Sequence, residues 1–388
     1  MKTKRRAFAF LLVLCTAATA LLSAQAPDKP AAKQNLLVYV GTYTTKTNSK
    51  GIYAYRFDAV SGRLSAIGIA AETPDPSWVA VHPNGKFLYA VNEAGKSSTV
   101  SAFALEPKTG KLTLLNQLPA LGEDPCYLSF DKTGKYLFVA NYTSGNVVVF
   151  PIEADGKLGA ATANVRDEGK VGPNKERQDG PHAHWIETSA DNRVAYVADL
   201  GLDKVLIYPF DETSGRLANA GVLGEVALPA SSGPRHLAFS HDRKFMYVLG
   251  ELKSNVTAFA KKSGEPYKEI QTISAIPKGF SGRNDAAEIA IHPNGKFLCA
   301  SNRGHDSIAV FNVQRRGGRL SLAANVPTGG KEPRHFVIDP TGKFLLAENQ
   351  LSNNIVVFKI DPTTGGLTPT GQVVDVPSPV CIAFLPVE

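Results

Sequence analysis

Apolar and polar residues alternate along the chain in short runs that are paired around tight turns. In residues 78–92, one alternating run leads into Asn84 and Gly85, and a second apolar run follows and ends at Asn92. Alternation on both sides of Asn-Gly is the strongest short-range signal for a β-hairpin. A third apolar run, such as residues 146–150, follows each hairpin, and a weaker fourth run follows a Gly-Lys-Leu or Gly-Arg-Leu turn. The pattern predicts a repeating unit of four antiparallel strands.

The hairpin recurs at nearly constant spacing. Successive turns are separated by 49, 58, 51, 52 and 47 residues. The turn positions that anchor the alignment are Gly85, Gly134, Asn192, Arg243, Gly295 and Gly342. Periods of this length are typical of propellers and solenoids, in which each repeat is one structural unit.

The two ends of the chain complement each other. Residues 37–40 match the second strand of the repeat without a first strand before them, whereas residues 379–384 match the first strand with nothing after it. Joined, they make a seventh blade, and a closed ring protects strand edges that would otherwise invite aggregation. We therefore predict an all-β, seven-bladed β-propeller over residues 36–388, closed by pairing the C-terminal strand with the first blade. A solenoid, the alternative, would need capping repeats instead.

The segment before the propeller has the features of an export signal. Residues 1–26 combine Lys2, Lys4, Arg5 and Arg6 with an apolar run and a small-residue end, which predicts a signal peptide. Because Arg5 and Arg6 also resemble a twin-arginine signal, both Sec and Tat export stay open. Residues 27–35 are expected to form a polar tether. The sequence thus predicts a periplasmic or extracellular protein.

Charge and cysteine content narrow the possible partners. The formal net charge of +7 falls by the four leader cations to +3, too little to indicate nucleic acid or a membrane surface. No later apolar stretch approaches the roughly 20 residues of a membrane-spanning helix. We expect a monomer without a transmembrane anchor. Cys126, Cys299 and Cys381 are interpreted as free buried thiols, with a disulfide left open, and no CxxC or His pairing indicates a metal.

Several charged side chains are predicted to meet at one mouth of the central channel. Positions eight before and eight after each turn lie at the same end of an antiparallel hairpin. The first set is Ser77, Cys126, His184, Arg235, Ala287, Arg334 and Val380, and the second is Glu93, Tyr142, Leu200, Glu251, Arg303, Gln350 and Tyr43. Three arginines around one opening would repel each other unless an anion normally binds there.

Candidate functional residues follow from this convergence. The predicted catalytic residues are His184, Glu251, Arg235 and Arg303. The predicted substrate-binding residues are Arg334, Glu93, Tyr43, Asn302 and Asn349. By contrast, His82 and His292 lie in the turns and are interpreted as structural. We expect His236 and His335 to point away from the channel and pack between blades, and residues 166–180 to form a lid or a docking loop.

With these motifs in place, the chain resembles the β-propeller lactonase family, which includes bacterial 6-phosphogluconolactonase and a fungal carboxymuconate-lactonising enzyme. The resemblance covers residues 36–388. It rests on Gly41 to Thr44, His182 to His184 before Asp191 to Arg193, Gly233 to His236 followed by Glu251 and Leu252, and Ser301 to Arg303. It implies the same seven-bladed ring, functional residues at His184, Arg235, Glu251 and Arg303, and neither a metal nor an organic cofactor. The phosphogluconolactonases are cytoplasmic, whereas this chain carries an export signal.

The expected activity is hydrolysis of a small anionic lactone or sugar-acid lactone. Such hydrolysis needs a positioned water, a base and cations that hold the developing oxyanion. We assign His184 as base or acid, Glu251 as its orienting partner or the alternative base, and Arg235 and Arg303 as an anion clamp. The sequence lacks the motifs of serine hydrolases, zincins and P-loop proteins. Two alternatives remain: a non-catalytic exported binding module, and a carboxymuconate-type lactonising cyclase.

Overall fold

The computed structural model describes residues 35–217 and 222–386. The predicted signal peptide and all but the last residue of the predicted tether lie outside the described residues. Within the described ranges, no helix is long and apolar enough to cross a membrane. The described chain folds into seven antiparallel sheets, which are the blades of the propeller.

The first four blades lie between Asn35 and Ala227. Their strands are β1 (Asn35–Thr42), β2 (Gly51–Asp58), β3 (Arg63–Glu72), β4 (Trp78–Val81), β5 (Phe87–Asn92), β6 (Thr99–Leu105), β7 (Leu112–Pro119), β8 (Pro125–Phe130), β9 (Tyr136–Asn141), β10 (Asn146–Pro151), β11 (Ala163–Arg166), β12 (Ala183–Thr188), β13 (Val194–Asp199), β14 (Lys204–Asp211), β15 (Arg216–Leu217) and β16 (Gly224–Ala227). In blade 4 the short strands β15 and β16 share the outer position, since both pair with β14.

Blades 5 to 7 and the closing strand follow. Their strands are β17 (Pro234–Phe239), β18 (Phe245–Gly250), β19 (Asn255–Ala260), β20 (Lys268–Ser274), β21 (Asp285–Ile291), β22 (Phe297–Arg303), β23 (Ser307–Val313), β24 (Leu320–Pro327), β25 (Pro333–Ile338), β26 (Phe344–Asn349), β27 (Asn354–Ile360), β28 (Leu367–Asp375) and β29 (Pro379–Pro386). Two short 3₁₀ turns, Gly95–Ser97 and Gln350–Ser352, lie where second strands lead into third strands.

The ring closes as predicted. Strand β29 pairs antiparallel with β1, from Leu36 opposite Pro386 to Thr42 opposite Pro379, and becomes the innermost strand of blade 1. The seven-bladed architecture and its closure are therefore confirmed. The C-terminal strand supplies hydrogen bonds that the first blade has no other strand to make.

The hydrophobic core is divided among the interfaces between blades. In the described ranges, each of seven clusters of buried side chains fills one interface between neighbouring blades. Between blades 1 and 7, for example, Phe57 and Phe344 meet edge to face with ring centroids 5.8 Å apart. Middle strands are buried on both faces, and all six residues of β9 are buried. This is why the second and third strands read as continuous apolar runs.

Candidate active site

The innermost strand bulges in six of the seven blades at the point where it reaches the mouth of the channel. A bulge inserts one extra residue opposite its partner strand and re-aims the side chains around it. In β17 the insertion falls on Arg235 and His236, which together face the single residue Leu249 of β18. Both side chains consequently reach toward the axis of the ring.

The prediction that His236 and His335 pack between blades is wrong. The ring centroid of His236 lies 5.3 Å from that of Trp78 and 5.2 Å from that of His184, residues of blades 2 and 4. His335 is likewise 5.2 Å from Trp78, across the channel. Simple alternation along the strand points these histidines outward, and the bulge reverses that direction.

Glu251 is the centre of the charged cluster. Its Oε2 atom lies 3.1 Å from Arg235 Nε and 3.1 Å from Arg303 Nη2, while its Oε1 atom lies 2.6 Å from Arg177 Nη2. Glu251, Arg235 and Arg303 are all buried. A single carboxylate therefore holds three guanidinium groups together at the mouth. This cluster carries more positive than negative charge.

The charges of this cluster shift its pKa values strongly. Burial opposes ionisation of Glu251, but Arg303 and Arg235 outweigh it and hold the pKa of the carboxyl well below its usual range. Burial and repulsion from Arg303 and Arg334 lower the pKa of Arg235 to about 10. At neutral pH both groups are still charged, so Glu251 is a poor proton acceptor and acts as an electrostatic anchor.

His184 lies at the same mouth but does not hydrogen bond to Glu251. It is 4 % exposed, its Nδ1 atom is 3.6 Å from Cys126 Sγ, and Tyr142 meets its ring edge to face. Burial and the positive charge of Arg235 lower the pKa of His184 well below 6.5. The imidazole is therefore neutral at pH 7, which is the protonation state that a general base needs.

Arg177 belongs to the site although sequence reasoning did not single it out. It lies in the segment 166–180 and donates from Nη2 to Tyr142 Oη at 3.2 Å as well as to Glu251. Its Nη1 atom is 3.9 Å from Asp285 Oδ1. No strand register predicts its position, and the only sequence signal was the charged, glycine-containing character of the segment.

Arg334 occupies the opposite side of the mouth with Tyr43 and Glu93. Its Nη2 atom donates to Tyr43 Oη at 2.9 Å, and that hydroxyl donates to Glu93 Oε2 at 2.7 Å. Among the residues described, no carboxylate oxygen lies within salt-bridge distance of Arg334. It is thus the arginine of the cluster whose charge is not directly neutralised by the protein, and nearby Tyr43, Glu93 and Glu251 raise its pKa despite burial.

Beneath the arginines lies a second buried layer of histidines and carboxylates. Glu288 Oε2 is 2.9 Å from His236 Nδ1 and 3.5 Å from His335 Nε2, and His335 Nδ1 is 2.8 Å from Glu348 Oε1. Burial raises the pKa of Glu288 and of Glu348. These side chains form the floor of the arginine cluster, a position that strand alternation does not predict.

Asn302 and Asn349 are not part of the charged cluster. Both amides are buried and donate to backbone carbonyls of the crossover from the preceding blade, Ala275 at 2.9 Å and Thr328 at 3.3 Å. Asn141 donates to Ala120 in the same way. In blades 2, 3, 6 and 7, this repeated bond between blades explains the asparagine that ends the second strand.

His82 and His292 have structural roles in the turns. His82 Nε2 is 2.7 Å from the Gly134 carbonyl, and His292 Nε2 is 2.7 Å from the Gly342 carbonyl, so each ring contacts the turn of the next blade. The free cysteines, all buried, are Cys126, Cys299 and Cys381. In the part of the chain that the structure describes, no three His, Cys, Asp or Glu side chains converge as a metal site would require.

The comparisons with known proteins agree with this architecture. Residues 37–384 match the family model described as lactonase, 7-bladed beta-propeller. The chain is 39% identical over 349 residues to the 6-phosphogluconolactonase of Bacillus subtilis, covering 89% of this chain and 97% of that protein.

Solved structures show the same fold. A putative 6-phosphogluconolactonase from Bacteroides fragilis has a TM-score of 0.85 and 36% identity, over 92% of this chain and all of that one. The periplasmic gluconolactonase of Pseudomonas aeruginosa has a TM-score of 0.84 and 34% identity, over 91% of this chain and all of that one. With its seven closed blades and its charged channel mouth, the chain belongs to the seven-bladed β-propeller lactonase family of enzymes.

Proposed function

We propose that this protein hydrolyses the lactone of a sugar acid, with His184 as the general base. The observation that carries the proposal is a buried imidazole beside a cluster of guanidinium groups that outnumber their carboxylate partners. The named relatives, a 6-phosphogluconolactonase and a periplasmic gluconolactonase, support a sugar lactone as the substrate.

The reaction follows from general acid–base chemistry. His184 accepts a proton from water as the water oxygen attacks the lactone carbonyl, and the carbonyl oxygen becomes an oxyanion. Collapse of this intermediate breaks the bond from the carbonyl carbon to the ring oxygen. The imidazolium returns its proton to the departing ring oxygen, which yields the hydroxy acid and restores neutral His184. Within the described chain, His184 Nε2 has no hydrogen-bond partner and is the ring nitrogen assigned to this transfer.

The roles of the arginines differ from those expected. Arg235 and Arg303 are each engaged by Glu251 and by backbone carbonyls, so we assign them to the positive potential of the mouth. Arg334, supported by Tyr43, contacts the oxyanion. Preorganised donors of this kind stabilise charge that develops only in the transition state.

Export remains part of the proposal. It rests on the predicted signal peptide and on the periplasmic location named for the Pseudomonas aeruginosa structure. A periplasmic enzyme would meet sugar lactones formed outside the cytoplasm. Fusion of residues 1–26 to a reporter that is active only after export tests this part, and an inactive reporter contradicts it.

The activity is tested on the purified mature protein with a pH indicator. Acid release from glucono-δ-lactone above the spontaneous rate is the expected result. His184→Ala should reduce turnover by about 10²–10⁴-fold. His241→Ala, at an exposed turn on the far side of the ring, is the matched control and should keep full activity.

Two outcomes would contradict the proposal. If His184→Ala hydrolyses the lactone as fast as the unaltered protein, His184 is not the base. If no lactone is hydrolysed but sugar acids bind tightly, the protein is a binding module and not a hydrolase.

A further inference from the structure

A cavity of about 970 Å³ opens beside the charged cluster. Tyr43 and Glu93 line this cavity and hydrogen bond to each other, and the Tyr43 hydroxyl also accepts from Arg334 at the channel mouth. The cavity and the candidate active site are therefore neighbours that share Tyr43 and Glu93. Its volume lies at the upper end of the range of about 300–1,000 Å³ that holds drug-sized ligands, and exceeds what one sugar ring fills.

One wall of the cavity is a loop held by a buried carboxylate. Asp75 Oδ1 accepts the backbone N–H groups of Thr44 at 2.6 Å and Thr45 at 2.8 Å. Asp75 is itself buried. Its hydrogen bonds fix the start of the loop that follows β1, so this wall exists before any ligand arrives.

The facing wall is also held in place. Asn353, in a left-handed conformation after the 3₁₀ turn Gln350–Ser352, accepts the backbone N–H of Ser378 through Oδ1 at 2.9 Å. Ser352 Oγ accepts the backbone N–H of Lys331 at 2.7 Å. Two preformed walls lower the ordering cost that a ligand would otherwise meet.

The charged groups of the lining do not favour anions. Its ionisable side chains, apart from Tyr43, are the cation Lys46 and the acids Asp75, Glu93 and Asp375, a formal balance of −2. Most of the other lining side chains are hydroxyls and amides, including Thr47, Asn48 and Ser352. A phosphate group placed here would be repelled, whereas the hydroxyls of an uncharged sugar would find donors and acceptors.

We infer that this cavity binds an uncharged sugar residue attached to the lactone, so that the preferred substrate is the aldonolactone of a disaccharide. The lactone ring then lies at Arg334 and His184, and the second sugar ring lies between the two walls. This inference rests on the proposed function and names its substrate class. It also predicts discrimination against the lactone of a phosphorylated monosaccharide, because, among the described residues, Lys46 is the one lysine or arginine in the cavity lining that could bind the phosphate.

The experiment compares three substrates in the same assay: glucono-δ-lactone, the δ-lactone of cellobionic acid, and 6-phosphoglucono-δ-lactone. The second sugar ring should add a few hydrogen bonds in the cavity. These should lower KM and so raise kcat/KM for the disaccharide lactone about tenfold. The phosphorylated lactone should be the poorest of the three. A preference for the phosphorylated lactone, or equal kcat/KM for all three, overturns the inference.

A cavity-filling variant isolates the subsite from the chemistry. Asn48→Trp adds bulk at an exposed lining position, and should remove the advantage of the disaccharide lactone while leaving kcat/KM for glucono-δ-lactone unchanged. Ser263→Trp, exposed on a loop at the other end of the blades, is the matched control and should change neither. If Asn48→Trp retains the full disaccharide preference, the second sugar does not bind in this cavity.

A binding measurement separates failure of this inference from failure of the proposed function. If no lactone is hydrolysed, calorimetry with cellobionate tests the subsite directly. Binding that is lost in Asn48→Trp supports the cavity although the hydrolase proposal fails, and binding unaffected by Asn48→Trp overturns the subsite itself.

Discussion

Replacing Glu251 by Gln tests the electrostatic arrangement of the mouth without changing its shape. The substitution removes the one carboxylate that contacts Arg235, Arg303 and Arg177. Arg177 is 30% exposed, so water compensates for much of the lost ion pair between Arg177 and residue 251. Arg235 and Arg303 are buried, and their charges are left without a direct counterion except for Glu332, 4.0 Å from Arg303.

The expected cost is large. Removing one partner of a buried ion pair destabilises a protein by about 3–5 kcal/mol. With an unfolding entropy of about 2.1 cal/mol/K per residue and roughly 350 residues in the ring, this corresponds to a fall in Tm of about 4–7 °C. Because the pKa of Glu251 is depressed, its contribution is present above the unfolded-state value of 4.5 and is lost only as pH falls through the lower folded-state value. The difference in Tm should therefore be the same at pH 7 and pH 6.

Thermal unfolding followed by circular dichroism measures the effect. Glu225→Gln is the control, since Glu225 pairs with Lys204 at 2.7 Å but is half exposed and should cost less than about 1 kcal/mol. Added sulfate should raise the Tm of Glu251→Gln more than that of the unaltered protein, because an anion that binds the folded state replaces the lost carboxylate. A Glu251→Gln protein that melts like the unaltered one, with no extra response to sulfate, refutes the electrostatic reasoning.

Three further predictions concern the site and the ring. Because the pKa of His184 is lowered, kcat/KM should stay constant as pH falls to 6.5 and decline only below it, and His184→Gln should abolish that decline; an acid limb centred above pH 6.5 would contradict the assignment. Arg334→Gln should lower kcat by about 10²-fold in the lactonase assay, because it removes a donor to the oxyanion. Arg283 is 82% exposed, and Arg283→Gln should have no effect on kcat. Deleting Pro379–Pro386 should leave no soluble folded protein on size exclusion, because blade 1 loses its innermost strand; a truncated chain that still melts cooperatively would show that closure is dispensable.

Most residues of the candidate site could be located from the sequence. Counting eight residues from each turn brought His184, Arg235, Glu251, Arg303 and Arg334 to one mouth, where the structure places them. The neighbouring position, one residue earlier on the second strands, predicted Asn302 and Asn349 as ligand contacts, whereas their amides bond to the crossover of the preceding blade. Position along a hairpin specifies which end a residue occupies, but it does not specify whether the side chain turns toward the channel or toward the adjoining blade.

The sequence by itself determined the architecture, because alternation and turn chemistry are local and the two half-blades at the chain ends fit only each other. The direction of His236 and His335 was decided by bulges, which depend on the register of the partner strand and leave the apolar pattern unchanged. Arg177 reaches Glu251 from a segment without strand periodicity. Only the tertiary structure decides such contacts, because they join residues whose separation follows from no repeat.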